Sequence, residues 1–220
     1  MTIELKKRII TSILLIILLI AMFLYDFILL TALIIMGVIS WIEFISLITK
    51  IYKKKDFKNE FLRFVYKAVS LFYIFLLVYL IIDIRINSSD LIIIIMYSIL
   101  VSIMTDIGGL IVGKKFKGKK LTKISPKKTI SGSVGSFIFA LTLVPFFTGK
   151  FITHSFIELI IITIIISLIS QIGDLFISFL KRKARVKDTS DLLPGHGGVL
   201  DRIDGIIFAI PIGFILFTNF

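Results

Sequence analysis

Seven long apolar segments make up most of this chain and limit what it can fold into. A membrane core about 30 Å thick is crossed by about 20 apolar residues in a helix. Inside lipid the backbone finds no water to bond, so each segment that crosses has to be helical. We predict spans at Ile9–Tyr25, Phe27–Ile48, Phe64–Ile82, Leu91–Val112, Ile130–Phe147, Phe156–Leu180 and Ile203–Phe220.

The composition leads to the same fold class. Of the 220 residues, 57% are hydrophobic and 18% are charged, whereas soluble domains have about 45–50% apolar and about 25% charged residues. This excludes an ordinary soluble domain and a disordered chain, and the absence of cysteine excludes a disulfide scaffold and thiol chemistry. We expect an all-α polytopic membrane protein with about seven transmembrane helices.

The positive charge of the chain is concentrated in four segments. Of 26 lysines and arginines, 23 lie before the first span or in the connections between spans two and three, four and five, and six and seven. These segments alternate along the chain, so seven spans place them all on one side of the membrane. The positive-inside rule puts that side, with the N-terminus, in the cytoplasm of a cell (inner) membrane. The simplest role for the loops is topogenic charge and attraction to anionic lipids.

The sixth span carries a polar stripe. Its members recur every three or four residues and share one helix face: Ser167, Gln171, Asp174, Ser178 and Lys181. The first two alone would fit a hydrogen-bonded seam between helices. Asp174 favours a functional interpretation, because a buried carboxylate needs a cation or a metal.

Two other spans contain acids. The fourth has a face of small residues with Asp106 at its margin, which indicates close helix packing: Ser98, Ser102, Thr105, Gly109 and Gly113. In the second span Glu43 follows Trp41 closely, and we interpret it as an interfacial residue, with a buried functional acid as the alternative. On that interpretation Glu43→Gln would keep substantial activity.

Two basic connections contain further patterns. Between spans six and seven, Pro194-Gly195 and Gly197-Gly198 break any helix and allow close approach of a ligand. Asp201 and Asp204 are spaced i, i+3 where the last span should begin; they would point to one side of it, or they could complement the helix dipole. Before span five, Ser125–Thr129 places two lysines behind a proline, which suits either an anionic ligand or topogenic charge.

These residues together indicate oxygen-ligand metal chemistry on phosphates. The chain has only two histidines, and no GxGxxG or GxxxxGK[ST] motif indicates a soluble nucleotide-binding fold. A membrane-embedded site of this kind suits a lipid phosphate as substrate.

The run from Ser178 to Asp204 resembles the signature of phosphatidate cytidylyltransferases, also called CDP-diacylglycerol synthases. The matching positions are Ser178, Lys181-Arg182, Lys187-Asp188, Leu193-Pro194, His196-Gly197-Gly198 and Asp201-Arg202-Ile203-Asp204. Gly173-Asp174-Leu175 and Ser125-Pro126-Lys127-Lys128-Thr129 also resemble the family. The resemblance covers the C-terminal half well, so we expect four N-terminal spans in residues 1–112 and a catalytic part in residues 113–220.

The resemblance implies transfer of the cytidylyl group of CTP to phosphatidic acid. It implies Mg²⁺ as cofactor, with a paired-cation site for potassium, and Asp174, Asp201 and Asp204 as metal ligands. Phosphates and substrate would be bound by Ser178, Lys181, Arg182, Lys187, His196 and Arg202, and the CTP triphosphate by Lys127 and Lys128. The catalytic set would be Asp174, Ser178, Lys181, Asp201 and Asp204. The partners would be CTP, phosphatidic acid, membrane lipids and a second copy in a homodimer, with no nucleic acid.

Two positions depart from the family pattern, which usually has acids where this chain has Ile177 and Ser131. The alternatives are a cytidylyltransferase acting on another lipid phosphate and an anion transporter. A transporter would favour internal repeats, which the sequence does not show. The Asp-Gly-x-x-Ala-Arg run expected of CDP-alcohol phosphotransferases is absent.

Overall fold

The computed structural model describes residues 3–88, 91–122, 125, 128–151 and 154–219, and for residues 3–8 the backbone alone. The elements in these ranges are α-helices. They are α1 (Ile3–Leu24), α2 (Asp26–Ile51), α3 (Phe57–Asn87), α4 (Ile92–Phe116), α5 (Ile130–Leu141), α6 (Val144–Phe147), α7 (Phe156–Lys183), α8 (Leu200–Ile203) and α9 (Ile206–Asn219).

Five segments in the described ranges are long and apolar enough to cross a membrane: α2, α3, α4, α5 with α6, and α7. The predicted all-α polytopic membrane fold is therefore confirmed. The first and seventh predicted spans also fall on helices, but the apolar part of α1, Ile9–Leu24, and the 14 residues of α9 are shorter than the about 20 residues that cross a membrane. The division of the chain at residue 112 stays a prediction.

The third helix is longer than predicted. It begins at Phe57 instead of Phe64, with Asp56 at its N-cap position. Its first turns carry Lys58, Glu60 and Arg63, so hydropathy marks only the later, apolar part. A helix extends beyond a membrane wherever its backbone bonds remain satisfied, and a hydropathy pattern cannot show that extension.

One compact unit comprises Met1–Ser89 and Leu180–Ile203. Within it, α2 packs against α1, α3 and α8. A single residue, Tyr25, separates α1 from α2, and the two helices form a tight hairpin. Arg85 near the end of α3 donates from Nε to Asp26 Oδ1 (2.5 Å) and from Nη2 to Phe23 O (3.2 Å), which ties α3 to this hairpin.

The other compact unit comprises Asp90–Phe179 and Asp204–Phe220. Here α4 packs against α5 and α9. A Cβ added to Gly108 would lie 2.5 Å from Gly135 O, and one added to Gly132 would lie 2.8 Å from Gly109 O. The two helices therefore pack backbone to backbone, and the prediction of close packing on this face of the fourth span is confirmed.

The chain turns between α8 and α9. Asp201 lies in α8, while Asp204 and Gly205 form the turn that follows. The two acids would share one side only if a single helix held both of them, and this condition is not met. Asp204 is buried, and its Oδ1 accepts a hydrogen bond from Gly205 N (2.9 Å), which favours the turn over a continued helix.

Candidate functional site

The connection between α7 and α8, residues 184–199, is called the His-Gly-Gly loop below. A short turn closes it, in which Leu193 N donates to Gly197 O (2.8 Å) and Gly197 N donates to Leu193 O (3.1 Å). Gly197 has a φ of 82°, in the left-handed region that glycine adopts without a steric penalty. The prediction that this position breaks any helix is confirmed.

Gly198 serves a different purpose, which is close approach. A Cβ added there would lie 2.0 Å from Thr189 Oγ1 and 2.5 Å and 2.6 Å from the two carboxylate oxygens of Glu43. No larger residue fits unless the hydroxyl and the carboxylate move. The second glycine of the pair therefore makes room for the Thr189 hydroxyl and for an acid supplied by α2.

Two of the predicted catalytic residues form an ion pair in this unit. Lys181 Nζ, at the end of α7, donates to Asp201 Oδ1 (2.6 Å), and the two side chains are 10% and 3% exposed. The other oxygen, Oδ2, accepts from Thr189 N (2.8 Å), Thr189 Oγ1 (2.9 Å) and Gly198 N (3.0 Å). A buried charge is tolerated only when its bonding capacity is filled in this way.

These contacts set the ionisation of Asp201. Burial alone would raise the pKa of its carboxyl. The hydrogen bond from Lys181, the backbone N–H donors of Thr189 and Gly198 and the charge of Lys181 outweigh burial, so the pKa lies below its ordinary value. Asp201 is therefore an anion at neutral pH. Its stabilising effect is present above the pKa of the unfolded chain and is lost as the pH falls through the lower folded value.

Glu43 lies inside the unit and is only 4% exposed. Its Oε1 accepts from Ser190 Oγ (2.5 Å) and Val199 N (3.1 Å), and its Oε2 accepts from Thr189 Oγ1 (2.9 Å) and Leu200 N (2.8 Å). The interpretation of Glu43 as an interfacial residue is wrong. The signal was present, since an acid within an apolar span is unusual, but its donors come from residues more than a hundred positions away.

The first helix also holds the loop, which the sequence did not suggest. Thr11 Oγ1 donates to Pro194 O (3.0 Å), and Ser12 Oγ lies 3.2 Å from His196 Nε2. Arg202 donates to His196 O from Nε (2.9 Å) and Nη2 (2.6 Å). Thr11 and Ser12 are the polar residues of the first apolar segment, and this is the signal that could have identified them.

In the other unit, Lys128 and Asp174 form an ion pair. Lys128 Nζ donates to Asp174 Oδ2, and Ser178 Oγ lies 3.3 Å from Asp174 Oδ1. The backbone of Lys128 is fixed on both sides, because its N–H donates to Ser125 O (3.0 Å) and its carbonyl accepts from Leu121 N (2.8 Å). The next residue, Thr129, caps α5 by accepting from Gly132 N (3.0 Å).

A cavity of about 400 Å³ opens beside this ion pair. That volume is within the range of small-molecule sites. Its wall includes side chains that bond anions or cations through nitrogen and oxygen: Asp106, Lys114, Lys128, Thr129, Ser133, Gln171, Asp174 and Ser178. Gln171 Nε2 is buried and has no hydrogen-bond partner among the described residues, which leaves a donor for a bound ligand.

The remainder of the stripe on α7 bonds to neighbouring helices. Thr105 Oγ1 donates to Ser167 Oγ (2.8 Å), and Ser133 Oγ donates to Gln171 Oε1 (2.6 Å). The seam considered for Ser167 and Gln171 is thus confirmed.

The position of Ile177, where the family usually has an acid, is apolar in its surroundings. Ile177 is 1% exposed and packs as an apolar residue.

The residues present fit a magnesium ion. Within the described ranges no group of three or more histidines or acids is placed to hold a metal. Mg²⁺ is usually bound by one or two carboxylates together with substrate phosphates and water. Asp106 and Asp174 on the cavity wall are donors of that kind.

The remaining predicted residues are distributed as follows. Asp204 belongs to the same unit as Asp174, whereas Lys181 and Asp201 belong to the other. Arg182, Lys187 and Arg202 are exposed. Lys127 lies outside the described residues, so its predicted role in binding triphosphate stays a prediction.

Comparison with known proteins gives a family match. Residues 4–220 match the model of the cytidylyltransferase family. The phosphatidate cytidylyltransferase of Rickettsia typhi is 43% identical over 136 residues, which are 58% of this chain and 59% of the relative. That of Bacillus subtilis is 41% identical over 128 residues, 57% of this chain and 48% of the relative. The chain thus spans about half the length of the curated relatives it matches.

Proposed function

Since the chain belongs to the cytidylyltransferase family, we propose that it transfers the cytidylyl group of CTP to phosphatidic acid, giving CDP-diacylglycerol and pyrophosphate. The observation that carries the proposal is the cavity beside Lys128, Asp174 and Ser178, a cation, an acid and a hydroxyl within the motifs that resemble the family. The relatives named phosphatidate cytidylyltransferase support the same substrates.

The reaction is a displacement at phosphorus. A phosphate oxygen of phosphatidic acid attacks the α-phosphorus of CTP, and the bond from that phosphorus to the β-phosphate oxygen breaks. Pyrophosphate leaves with the bonding electrons. A phosphomonoester has its second pKa near 6, so the nucleophile is mostly dianionic at neutral pH and needs no general base.

The chain's own residues supply binding and charge. Lys128, with Lys127, binds the triphosphate, and Ser178, Lys181, Arg182 and Lys187 bind phosphate oxygens, which stabilises the negative charge that spreads in the transition state. Asp174 on the cavity wall is the proposed ligand of Mg²⁺, which when bound would neutralise charge on phosphate oxygens as a Lewis acid. The family resemblance implies Asp201 and Asp204 as further ligands, and that role stays a prediction. His196 and Arg202 are proposed substrate contacts, and their mutual bonding also shapes the His-Gly-Gly loop.

The function is tested by following which product receives the α phosphate and which receives the γ phosphate of labelled CTP. Purified protein in mixed micelles is given phosphatidic acid, Mg²⁺ and CTP labelled at either the α or the γ phosphate. We expect the α label in CDP-diacylglycerol and the γ label in pyrophosphate, in equal amounts. A γ label in the lipid, or no labelled lipid, would contradict the proposal. An ether-linked lipid phosphate in a parallel arm tests the alternative acceptor, and chelation with EDTA tests the metal.

We also propose that the basic loops face the cytoplasm. The natural chain contains no cysteine, so single cysteines can be introduced without background. Lys119→Cys and Gly149→Cys lie in exposed positions at opposite ends of the segment Ile130–Phe147. In intact spheroplasts a membrane-impermeant maleimide should label Gly149→Cys, and Lys119→Cys only after lysis. The reverse pattern would refute the orientation.

A further inference from the structure

Glu43 is a buried acid that the proposed reaction does not use. We propose that it is a positioning residue: it holds the middle of the His-Gly-Gly loop to the end of that loop so that Thr189 and Gly198 bind the catalytic Asp201. The inference rests on the proposed function, since Asp201 matters to activity only if that function is right.

The bonding of Glu43 is divided evenly between two parts of the chain. Thr189 and Ser190 bind it from the middle of the loop, and Val199 and Leu200 bind it from the end of the loop and the start of α8. Each carboxylate oxygen takes one hydroxyl and one backbone N–H. Buried backbone N–H groups need an acceptor, which in a helix or a sheet is a backbone carbonyl. Here the carboxylate of Glu43, on α2, is the acceptor for Val199 N and Leu200 N.

The same loop residues continue to Asp201. Thr189 Oγ1 lies 2.9 Å from Glu43 Oε2 and 2.9 Å from Asp201 Oδ2, so the hydroxyl is shared by the two carboxylates. It carries one proton and donates to one acid at a time. Thr189 N and Gly198 N both donate to Asp201 Oδ2. Fixing that oxygen turns Oδ1 to Lys181.

An amide cannot replace this carboxylate. Whichever oxygen of Glu43 becomes an NH₂ group in Glu43→Gln, that group faces a backbone N–H, either Val199 N or Leu200 N. A hydroxyl can rotate to accept from the amide, but a backbone N–H cannot. A buried donor is then left without an acceptor, and the loop shifts. We therefore expect Glu43→Gln to lose activity, in contrast to the prediction from sequence that it would keep substantial activity.

The test measures kcat and KM for CTP in Glu43→Gln, Thr189→Val and the double variant, with Thr189→Ser as the conservative substitution. Glu60→Gln, an exposed glutamate at the start of α3, is the matched control. We expect Glu43→Gln to lower kcat by about 10- to 100-fold. This loss is typical when a residue is removed that orients a catalytic group without touching the substrate. KM for CTP should not change, because neither Glu43 nor Asp201 is a proposed ligand of the triphosphate.

The double variant identifies the route of the effect. If Glu43 acts through Thr189, the double variant is no slower than the slower single variant, and Thr189→Ser keeps activity. The proposal would be overturned if the losses of the two single variants multiplied in the double variant. A wild-type kcat in Glu43→Gln, or an equal loss of kcat in Glu60→Gln, would also overturn it.

A second measurement separates this inference from the proposed function. Trypsin cleavage at exposed Arg185 and Lys187 should be faster in Glu43→Gln than in wild type, whether or not the protein makes CDP-diacylglycerol. Unchanged cleavage would contradict the loop-holding role even in an active enzyme. An inactive wild type with faster cleavage in the variant would refute the function alone. Gly198→Ala, which crowds both the Thr189 hydroxyl and the Glu43 carboxylate, with Gly149→Ala as control, repeats the test if Glu43→Gln does not accumulate.

Discussion

Asp201→Asn is expected to lower the formation of CDP-diacylglycerol by at least about 100-fold, the loss typical when a preorganised charge contact is removed from an active site. The amide removes the negative charge and one acceptor oxygen. It also leaves the Lys181 ammonium without its ion-pair partner in a place that is about one-tenth exposed. Removing one partner of a buried ion pair costs about 3–5 kcal/mol, so the protein should also melt at a lower temperature.

The double variant Asp201→Asn/Lys181→Met separates these two effects. It removes both charges, and replacing a buried ion pair in this way is often neutral for stability. We expect the melting temperature in detergent to recover and activity to stay lost. Recovered activity would contradict a catalytic role for either residue. Asp26→Asn is the control. Asp26 also forms an ion pair, in this case with Arg85, but its side chain is 77% exposed.

Asp174→Asn should lower activity by a similar factor, at least about 100-fold, but with little effect on stability. Its pair with Lys128 is only partly buried, since the side chains of Asp174 and Lys128 are 24% and 28% exposed. Exposed ion pairs contribute about 0–1 kcal/mol, and both residues lie on the cavity wall, where a ligand can compete for them. The measurements are initial rates with labelled CTP and the melting temperature of the same preparation.

The partner lysine should show a different kinetic effect. Lys128→Met is expected to raise KM for CTP, because its proposed role is to bind the triphosphate. Lys150→Met is the control, since Lys150 is exposed in the loop after α6. An unchanged KM in Lys128→Met, or wild-type activity in Asp174→Asn, would contradict the proposal that the cavity is part of the active site.

Several parts of the structure were accessible to sequence reasoning because they depend on local pattern. Apolar length predicted the helices, since lipid leaves the backbone no alternative. Spacing placed the members of the polar stripe on one helix, and the seam at Ser167 and Gln171 followed from that. Fixed motif spacing selected Lys181 and Asp201, which form the buried ion pair of their unit.

The role of Glu43 shows where such reasoning stops. Its neighbours in the sequence are apolar residues and a tryptophan, and these are what an interfacial position would have. Its actual environment consists of two hydroxyls and two backbone N–H groups from residues 189–200. Backbone donors leave no trace in residue identity, so no pattern within the second span could have revealed them.

Thus the sequence by itself determined the helical membrane fold, the concentration of positive charge in a few loops and the residue types of the candidate site, because helix periodicity and the solvation of charge act locally along the chain. Only the tertiary structure decided that α1 and α2 shape the His-Gly-Gly loop, that Gly198 makes room for Glu43 and that Thr189 joins Glu43 to Asp201. Those contacts join positions far apart in sequence, and their energy depends on distances and directions that exist only once the helices have packed.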